Sequence, residues 1–422
     1  MSTESMESDN DSELHGPLRG IRVVELASEF GAFAGKLLAG LGADVVVVEP
    51  PGGHRMRTYG PFAEGTSTDT ADSERSLWWW HYNTSKRGVI VDLDTSEGAD
   101  ALRQLVSRAD IVLEGEPTTR LRELRLDHPQ FRALDPKLIW VSVTAFGRTS
   151  PRADEPVTDL TLLAGAGPVW SCGYDDHTLP PVRGGGNQAM HQSGVFAAIS
   201  ALTAVIYRDA TGEGQHIDVS AHAASNVTTE SSSYEYLVAG RAVQRQTGRH
   251  AASTPTMDTQ VLAADGKWVT TGFPPRQVSE LKALVQWLTE LGLNDDFDEF
   301  FFLEMGIERG GITISEIGEN AEATAVFGAS RAAMAMIASK LPAYDFFVGA
   351  QSRAIPVGII NSIEEILGDP HIIERGFPVP VHHEDLGRDV IYAGAPFKMS
   401  RTPWRITRRA PKLGEHQSEV LD

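Results

Sequence analysis

Short apolar runs and amphipathic stretches alternate along the chain from residue 18 onward. The segment "IRVVEL" at 21–26 is a β-branched run of strand length, and "FAGKLLAGL" at 33–41 places Leu37, Leu38 and Leu41 at helical spacing. Gly42 stops that pattern and a second apolar run, "ADVVVV" at 43–48, follows. The spacing predicts a strand, a helix and a strand, with Ser28 capping the helix and Gly31 and Gly35 allowing close packing or close ligand approach. Free N–H groups at the start of such a helix form an anion seat. Further alternation comes from "GVIVDLD" at 88–94, a helix over 97–107, "DIVLEG" at 110–115 and "LIWVSVTAFG" at 138–147. Repeated strand-then-helix order predicts an α/β fold with a doubly wound, mostly parallel, Rossmann-like sheet. A long helix over 187–208 carries Val195, Ile199, Leu202 and Ile206 on one face, which is expected to lie on the core.

The texture changes near residue 230. "TMDTQVLAADGKWVTTGF" has Asp265-Gly266 between two β-like runs, a hairpin signal pointing to antiparallel structure in a smaller α+β domain. Helical stretches follow to about 345, among them "DDFDEFFFLEMG", whose phenylalanines read as a buried helix face. The expected organisation is an acidic disordered tail over 1–17, a large domain over 18–228, a small domain over 229–347 and a return segment over 348–422 that completes the large one.

Composition narrows the function. The net charge of −20 argues against nucleic-acid and membrane-surface partners, and no run approaches the roughly 18 apolar residues of a membrane span. Against that charge "HRMR" at 54–57, "SKR" at 85–87 and "RLRELR" at 120–125 are either seats for a small polyanion or solvated loop charges. The one cysteine, Cys172, reads as a small packed residue, excludes an intrachain disulfide and fits a reducing cytoplasm. The 13 histidines show no metal-ligand spacing, His382 and His383 being adjacent in a late loop, so no metal is expected. The absence of G-x-G-x-x-G argues against a nicotinamide dinucleotide.

One stretch stands apart. "PPVRGGGNQAMHQSG" at 180–194 is a Gly-rich turn running into the long helix, and it contains no acid in a chain rich in acids. Its free N–H groups make Gly185, Gly186, Asn187 and Gln188 a substrate-side seat for an oxyanion or carboxylate.

In order, "LRGIRVVELASEFGAFAGKLLAGLGADVVVVEPPGG", "NTSKRGVIVDL", "TAFGRTSP", "RDATGEGQHIDVS", "GIINSIEEILGDPHIIERGF", "GAPFKMSRTPW" and "APKLGEHQSEVL" resemble class III CoA-transferases. That family also takes in carnitine CoA-transferase-like, bile-acid-inducible and α-methylacyl-CoA racemase-type proteins. The resemblance covers nearly all of 18–421. It implies coenzyme A as acyl-CoA substrate and product, a carboxylic acid as second substrate, and an interlocked dimer with CoA in the large domain. Carried onto this sequence, it places Ser28, Glu29, Phe30 and Gly31 along CoA, with Lys86 and Arg87 either neutralising phosphate or serving as structural charges. A further CoA contact reads Glu114, Gly115, Glu116, Pro117 here, and a commonly basic position reads Glu123, with Arg122 and Arg125 as compensating bases.

In the transferases the resemblance implies an aspartate that attacks the thioester, forms a mixed anhydride and then carries CoA as an aspartyl thioester. Counting back from "TGEGQ", that position is Met190, and its neighbours Asn187, Gln188, Ala189 and His191 cannot form an anhydride. The racemase-type His-Asp pair reads Thr158-Asp159. His191 and Asp159 therefore stand as the candidate catalytic groups, each with a capping or packing role as its alternative, and Asp175 and Asp176 as remote ones. Three readings remain open: a CoA-transferase using a displaced carboxylate, a non-catalytic subunit paired with a paralogue, and acyl-CoA racemase or isomerase-type proton transfer through His191 and Asp159.

Overall fold

A computed structural model describes residues 16–63 and 73–422, so most of the acidic tail lies outside the described residues. The chain forms two compact units: the first takes residues up to Trp170, Val182–Tyr234 and Asp369–Asp422, the second Ser171–Pro181 and Glu235–Gly368.

The first unit is built on six parallel strands: β1 (Arg22–Leu26), β2 (Asp44–Glu49), β3 (Arg87–Ile90), β4 (Ile111–Glu114), β5 (Ile139–Thr144) and β6 (His216–Ser220). Their order, β3-β2-β1-β4-β5-β6, is the doubly wound arrangement expected from the alternation, with its direction reversing between β1 and β4. Successive strand residues point to opposite faces. Val23, Val45, Ile111 and Ile139 pack with Ala34 and Leu38 of α1 (Ala32–Gly40), while Val24, Val46, Val112 and Trp140 pack on the other side with Leu102, Leu105 and Phe131. Those last three belong to α3 (Ser96–Val106) and α5 (His128–Arg132), which follow α2 (Leu77–Tyr82) and bracket α4 (Thr118–Glu123) in the chain.

Further along this part come α6 (Asp159–Ala166), α7 (Gln188–Thr211) and α8 (Ala221–Val227). The face of α7 that reaches the core is not the expected one. Ala189, Met190, Ser193, Ala197, Ala201 and Ala204 are buried, whereas of the expected face only Leu202 packs on the core and Val195, Ile199 and Ile206 are exposed, Ile206 by 72%. Small side chains let α7 lie close to α1 and the sheet, and that closeness outweighs the apolar area of the larger residues. By length and composition α7 could also cross a bilayer, yet half of that stretch is buried within the fold.

Chain through α9 (Glu230–Ala239) leads to the second unit. There β7 (Gln244–Gln246) pairs with β8 (Arg249–Ala252), and β9 (Gln260–Leu262), β10 (Trp268–Thr270) and β11 (Gly358–Ile359) form a small antiparallel sheet. The turn between β9 and β10 is the Asp265-Gly266 hairpin, with Gly266 at φ +83°. Helices α10 (Val278–Glu290), α11 (Phe300–Glu308), α12 (Ala321–Lys340) and α13 (Ala343–Gln351) enclose this unit's core. Of the α11 phenylalanines, Phe301 faces solvent. The chain leaves this unit at Asp369, not 348, because α13 packs on α12 and β11 pairs with β10. Cys172 is exposed rather than packed.

The return segment rejoins the first unit through backbone contacts. Pro411 O accepts from Arg57 Nη2 at 3.0 Å and Trp79 Nε1 at 2.8 Å, and Gly88 N donates to His416 Nδ1 at 3.2 Å. His382 and His383 end strand β12 (Pro378–His383), paired with β13 (Arg388–Ala393), rather than lying in a loop.

Candidate active site

The reversal of sheet order opens a crevice at the carboxyl ends of β1 and β4, where open α/β sheets take their ligands. Ser28 and Gly115 meet there: a Cβ on Gly115 would lie 2.7 Å from Ser28 Cβ and Oγ, so only glycine fits. Ser28 Oγ accepts the Gly31 N–H at 3.1 Å, closing the turn that leads into α1 rather than capping the helix itself. Glu29 is held by the Tyr59 hydroxyl at 2.5 Å and Arg55 at 2.6 Å. Phe30 packs into the apolar cluster around Trp79 and Met190. Beside Gly115, Glu114 is fully buried, bound by Arg148, Ser142 and Trp140 Nε1. Burial raises the pKa of Glu116 above the usual carboxylate value. Arg122 is exposed at the mouth of a cavity of about 190 Å³ that Thr118, His128, Trp140 and His216 also line.

The second locus is the start of α7. Asp159, first residue of α6, accepts the Ala189 N–H at 2.8 Å with Oδ1 and Arg183 Nη2 at 2.9 Å with Oδ2. Arg183 Nη2 also donates to Gly186 O. The N–H groups of Gly185, Gly186, Asn187 and Gln188 have no partner among the described residues, and a Cβ on Gly185 or Gly186 would meet nothing within 4 Å.

Met190, 1% exposed, lies with Ala27, Ala32, Trp79, Trp80 and Tyr82 in an apolar cluster. Its neighbour His191 packs its ring, tilted by 32°, against Phe33 with centroids 4.5 Å apart and shares a hydrogen bond of 3.0 Å between Nε2 and the Tyr82 hydroxyl. Tyr82 Oη accepts from Asn187 Nδ2 at 3.0 Å, and burial pushes its pKa up to about 12. The phenol therefore keeps its proton, and its bond to His191 Nε2 runs in whichever direction the imidazole tautomer sets. Burial, reinforced by Lys36, lowers the His191 pKa, while Asp159 pulls the other way. Near neutrality His191 is thus uncharged. Lys36 is itself buried, donating to His81 O at 2.7 Å, with its pKa brought down to about 7 by burial and by Lys86.

The sequence profile of CoA-transferase family III matches residues 18–417. The chain belongs to that family. Among its family III relatives, it is 33% identical over 96% of its length to the succinate–glutarate CoA-transferase of Agrobacterium fabrum, covering 95% of that protein. It is 30% identical over 95% of its length to subunit BbsE of the succinyl-CoA:(R)-benzylsuccinate CoA-transferase of Thauera aromatica, covering 92% of that chain. The crystal structure of a CAIB/BAIF family protein from Brucella suis superposes with a TM-score of 0.76 at 26% identity, over 97% of this chain and all of that one.

Within this family III fold some expected contacts fall elsewhere. Lys86 reaches no phosphate: it is fully buried, with Nζ 2.8 Å from Glu25 Oε1, 3.0 Å from Ala32 O and 2.9 Å from Asn83 Oδ1. Burial lowers the Lys86 pKa and raises that of Glu25, while each charge draws its partner back. Arg87 pairs with Asp44 at 2.7 Å on the sheet surface. Within "HRMR", Arg57 is buried against Glu49, its guanidinium 3.9 Å above Trp79, and is no anion seat. Asp175 pairs with Arg249 and Asp176 caps Thr178, both within the second unit. Sequence reasoning passed over Tyr82, Lys36 and Arg183. The only available signals were a tyrosine in a Trp-rich helix, a lysine inside a small-residue helix and the arginine opening the Gly turn.

Proposed function

We propose that this chain binds an acyl-CoA thioester and serves the transfer of CoA to a carboxylic acid. The observation that carries the reading is the family III match across residues 18–417 on a sheet whose switch point keeps Ser28 against Gly115. CoA lies along Ser28, Glu29, Phe30, Gly31 and Gly115 with Arg122 available to phosphate, and the acyl group faces Gly185, Gly186, Asn187 and Gln188. The names of the two relatives favour short dicarboxylic acids as acyl groups. The protein works in the cytoplasm, where a lone exposed cysteine stays reduced.

Met190 favours a second reading, a non-catalytic subunit whose partner supplies the nucleophilic carboxylate. A thioether in an apolar cluster cannot form an anhydride, and one relative is itself named as a subunit. The exposed Val195, Ile199 and Ile206 of α7 give a partner an apolar face, whether a second copy or a paralogue. The test is the purified chain with succinyl-CoA and glutarate, followed by mass spectrometry of the thioesters and native mass spectrometry of the protein. Glutaryl-CoA formed by the chain alone excludes the non-catalytic reading. CoA bound without transfer supports it, and a chain that leaves CoA unbound overturns both.

A further inference from the structure

Arg183 is bound on one side only. Its Nη2 is held by Asp159 Oδ2 and Gly186 O, its Nε is buried with no partner, and its Nη1 bonds nothing among the described residues. The side chain is one-third exposed. An arginine fixed in this way has surrendered its rotamer freedom while keeping a donor face unsatisfied. Next to the guanidinium, which reaches Gly186 O, lie the open space over Gly185 and Gly186 and their unpartnered N–H groups. The carboxylate nearby, Asp159, has both oxygens engaged, on Arg183 and on the Ala189 N–H.

We infer that Arg183 determines specificity by binding the distal carboxylate of a dicarboxylic acyl group, the end of the acyl chain remote from the thioester. The inference rests on the acyl-CoA reading and names the acyl class of that same site. A monocarboxylic acyl chain of equal length leaves Nη1 and the turn amides unpartnered, and a site built around a charged hydrogen bond discriminates strongly against a ligand that lacks it. Asp159 acts through Arg183 as a positioning residue, holding the fork at the mouth of the turn.

The experiment compares binding of CoA, butyryl-CoA and succinyl-CoA to the full chain, its Arg183→Gln variant and its Arg183→Lys variant, by calorimetry. Wild type is expected to bind succinyl-CoA on the order of 10- to 100-fold more tightly than butyryl-CoA. Arg183→Gln should lose that ratio chiefly through weaker succinyl-CoA binding, while Arg183→Lys, with charge but no fork, recovers part of it. CoA and butyryl-CoA report that each variant is folded. Equal affinity of wild type for the two thioesters overturns the inference and leaves the CoA reading standing. So does an equal loss of both in Arg183→Gln, which would make Arg183 a structural clip on Asp159. Failure of wild type to bind any of the three overturns the CoA reading and this inference together.

Discussion

The Ala189 N–H donates a hydrogen bond of 2.8 Å to Asp159 Oδ1, which sets a negative charge from α6 on the first turn of α7. The Gly-rich turn carries no acid of its own, yet its helix start is not left without one. The charge arrives from 30 residues earlier in the chain, next to Met190. A carboxylate at a helix N-terminus is favoured by the dipole and the free amides, and Arg183 fixes its second oxygen.

Asp159→Asn should therefore destabilise the protein by about 1–3 kcal/mol, since it weakens the cap and leaves a partly buried guanidinium without its counter-charge. Thermal unfolding should show a melting temperature lower by several degrees. An unchanged midpoint would mean that the Asp159 contacts contribute nothing net.

The sheet was legible because buried parallel strands read as short, mostly apolar, β-branched runs, and residues 21–26, 43–48 and 138–147 announce themselves in that way. The orientation of α7 was not. Periodicity ranks residues by apolarity, whereas close approach to α1 selects small ones, so the Ala189–Ser193–Ala197 stripe wins the core over Val195 and Ile199. Of the two readings left open for Lys86, the structure supports the structural charge, though a buried one rather than a surface one. A lysine in a turn reads as a surface charge, and its counter-charge Glu25 sits 61 residues away in β1 with no local pattern linking the two. The Asp159–Arg183 contact across 24 residues was invisible because no local pattern links the two.

Gly35→Ala tests the packing around that buried pair. The added Cβ would lie 1.7 Å from Glu25 Oε2 and 3.0 Å from Lys86 Nζ, forcing apart two charges that have no water to turn to. A loss of about 3–5 kcal/mol is expected, the scale for breaking a buried ion pair, visible as a large fall in the urea midpoint or in soluble yield. Wild-type stability in this variant would show that α1 can shift freely.

Lys36→Met should stabilise the protein, despite losing the bond to His81 O. The pKa of Lys36 is about 7 in the fold, below its ordinary 10.5, so between those values the unfolded chain binds the extra proton and folding is penalised. The penalty is full below about pH 7 and fades as the pH rises towards 10.5. The substitution should add about 1–3 kcal/mol at neutral pH and progressively less as the pH rises from about 7 towards 10.5. A gain that does not shrink at high pH would place its origin in packing alone.

The histidines give the opposite edge of the pH profile. Burial first, and then Arg55 beside His54, His216 beside His128 and Lys36 beside His81, lower His54 and His128 to about 4 and His81 to about 3. Unfolded histidines take up protons near 6.5 while these remain neutral, so their contribution to stability is present above that pH and falls away as the pH drops towards 4 and 3. Urea midpoints should decline between about pH 7 and pH 5, before most carboxylates titrate. His81→Gln should flatten the decline, and an identical slope would remove His81 from the account.

Met190→Asp addresses the chemistry directly. The new carboxylate would stand at the third residue of α7, where the dipole favours it, but among Trp79, Trp80 and Tyr82, where burial does not. A stability loss of about 2–4 kcal/mol is expected. With succinyl-CoA the carboxylate oxygen attacks the thioester carbonyl, the C–S bond breaks and CoA leaves as thiolate. The thiolate then attacks the aspartyl carbonyl of the anhydride, expelling succinate and leaving CoA on the protein as a thioester. Intact-mass analysis should find one CoA adduct in Met190→Asp that hydroxylamine removes, and none in wild type or Met190→Asn. An adduct already present in wild type would point to another carboxylate, Asp159 first, and would exclude the non-catalytic reading. A folded Met190→Asp chain that binds CoA without forming the adduct would show that position 190 is not where this chain lacks its nucleophile.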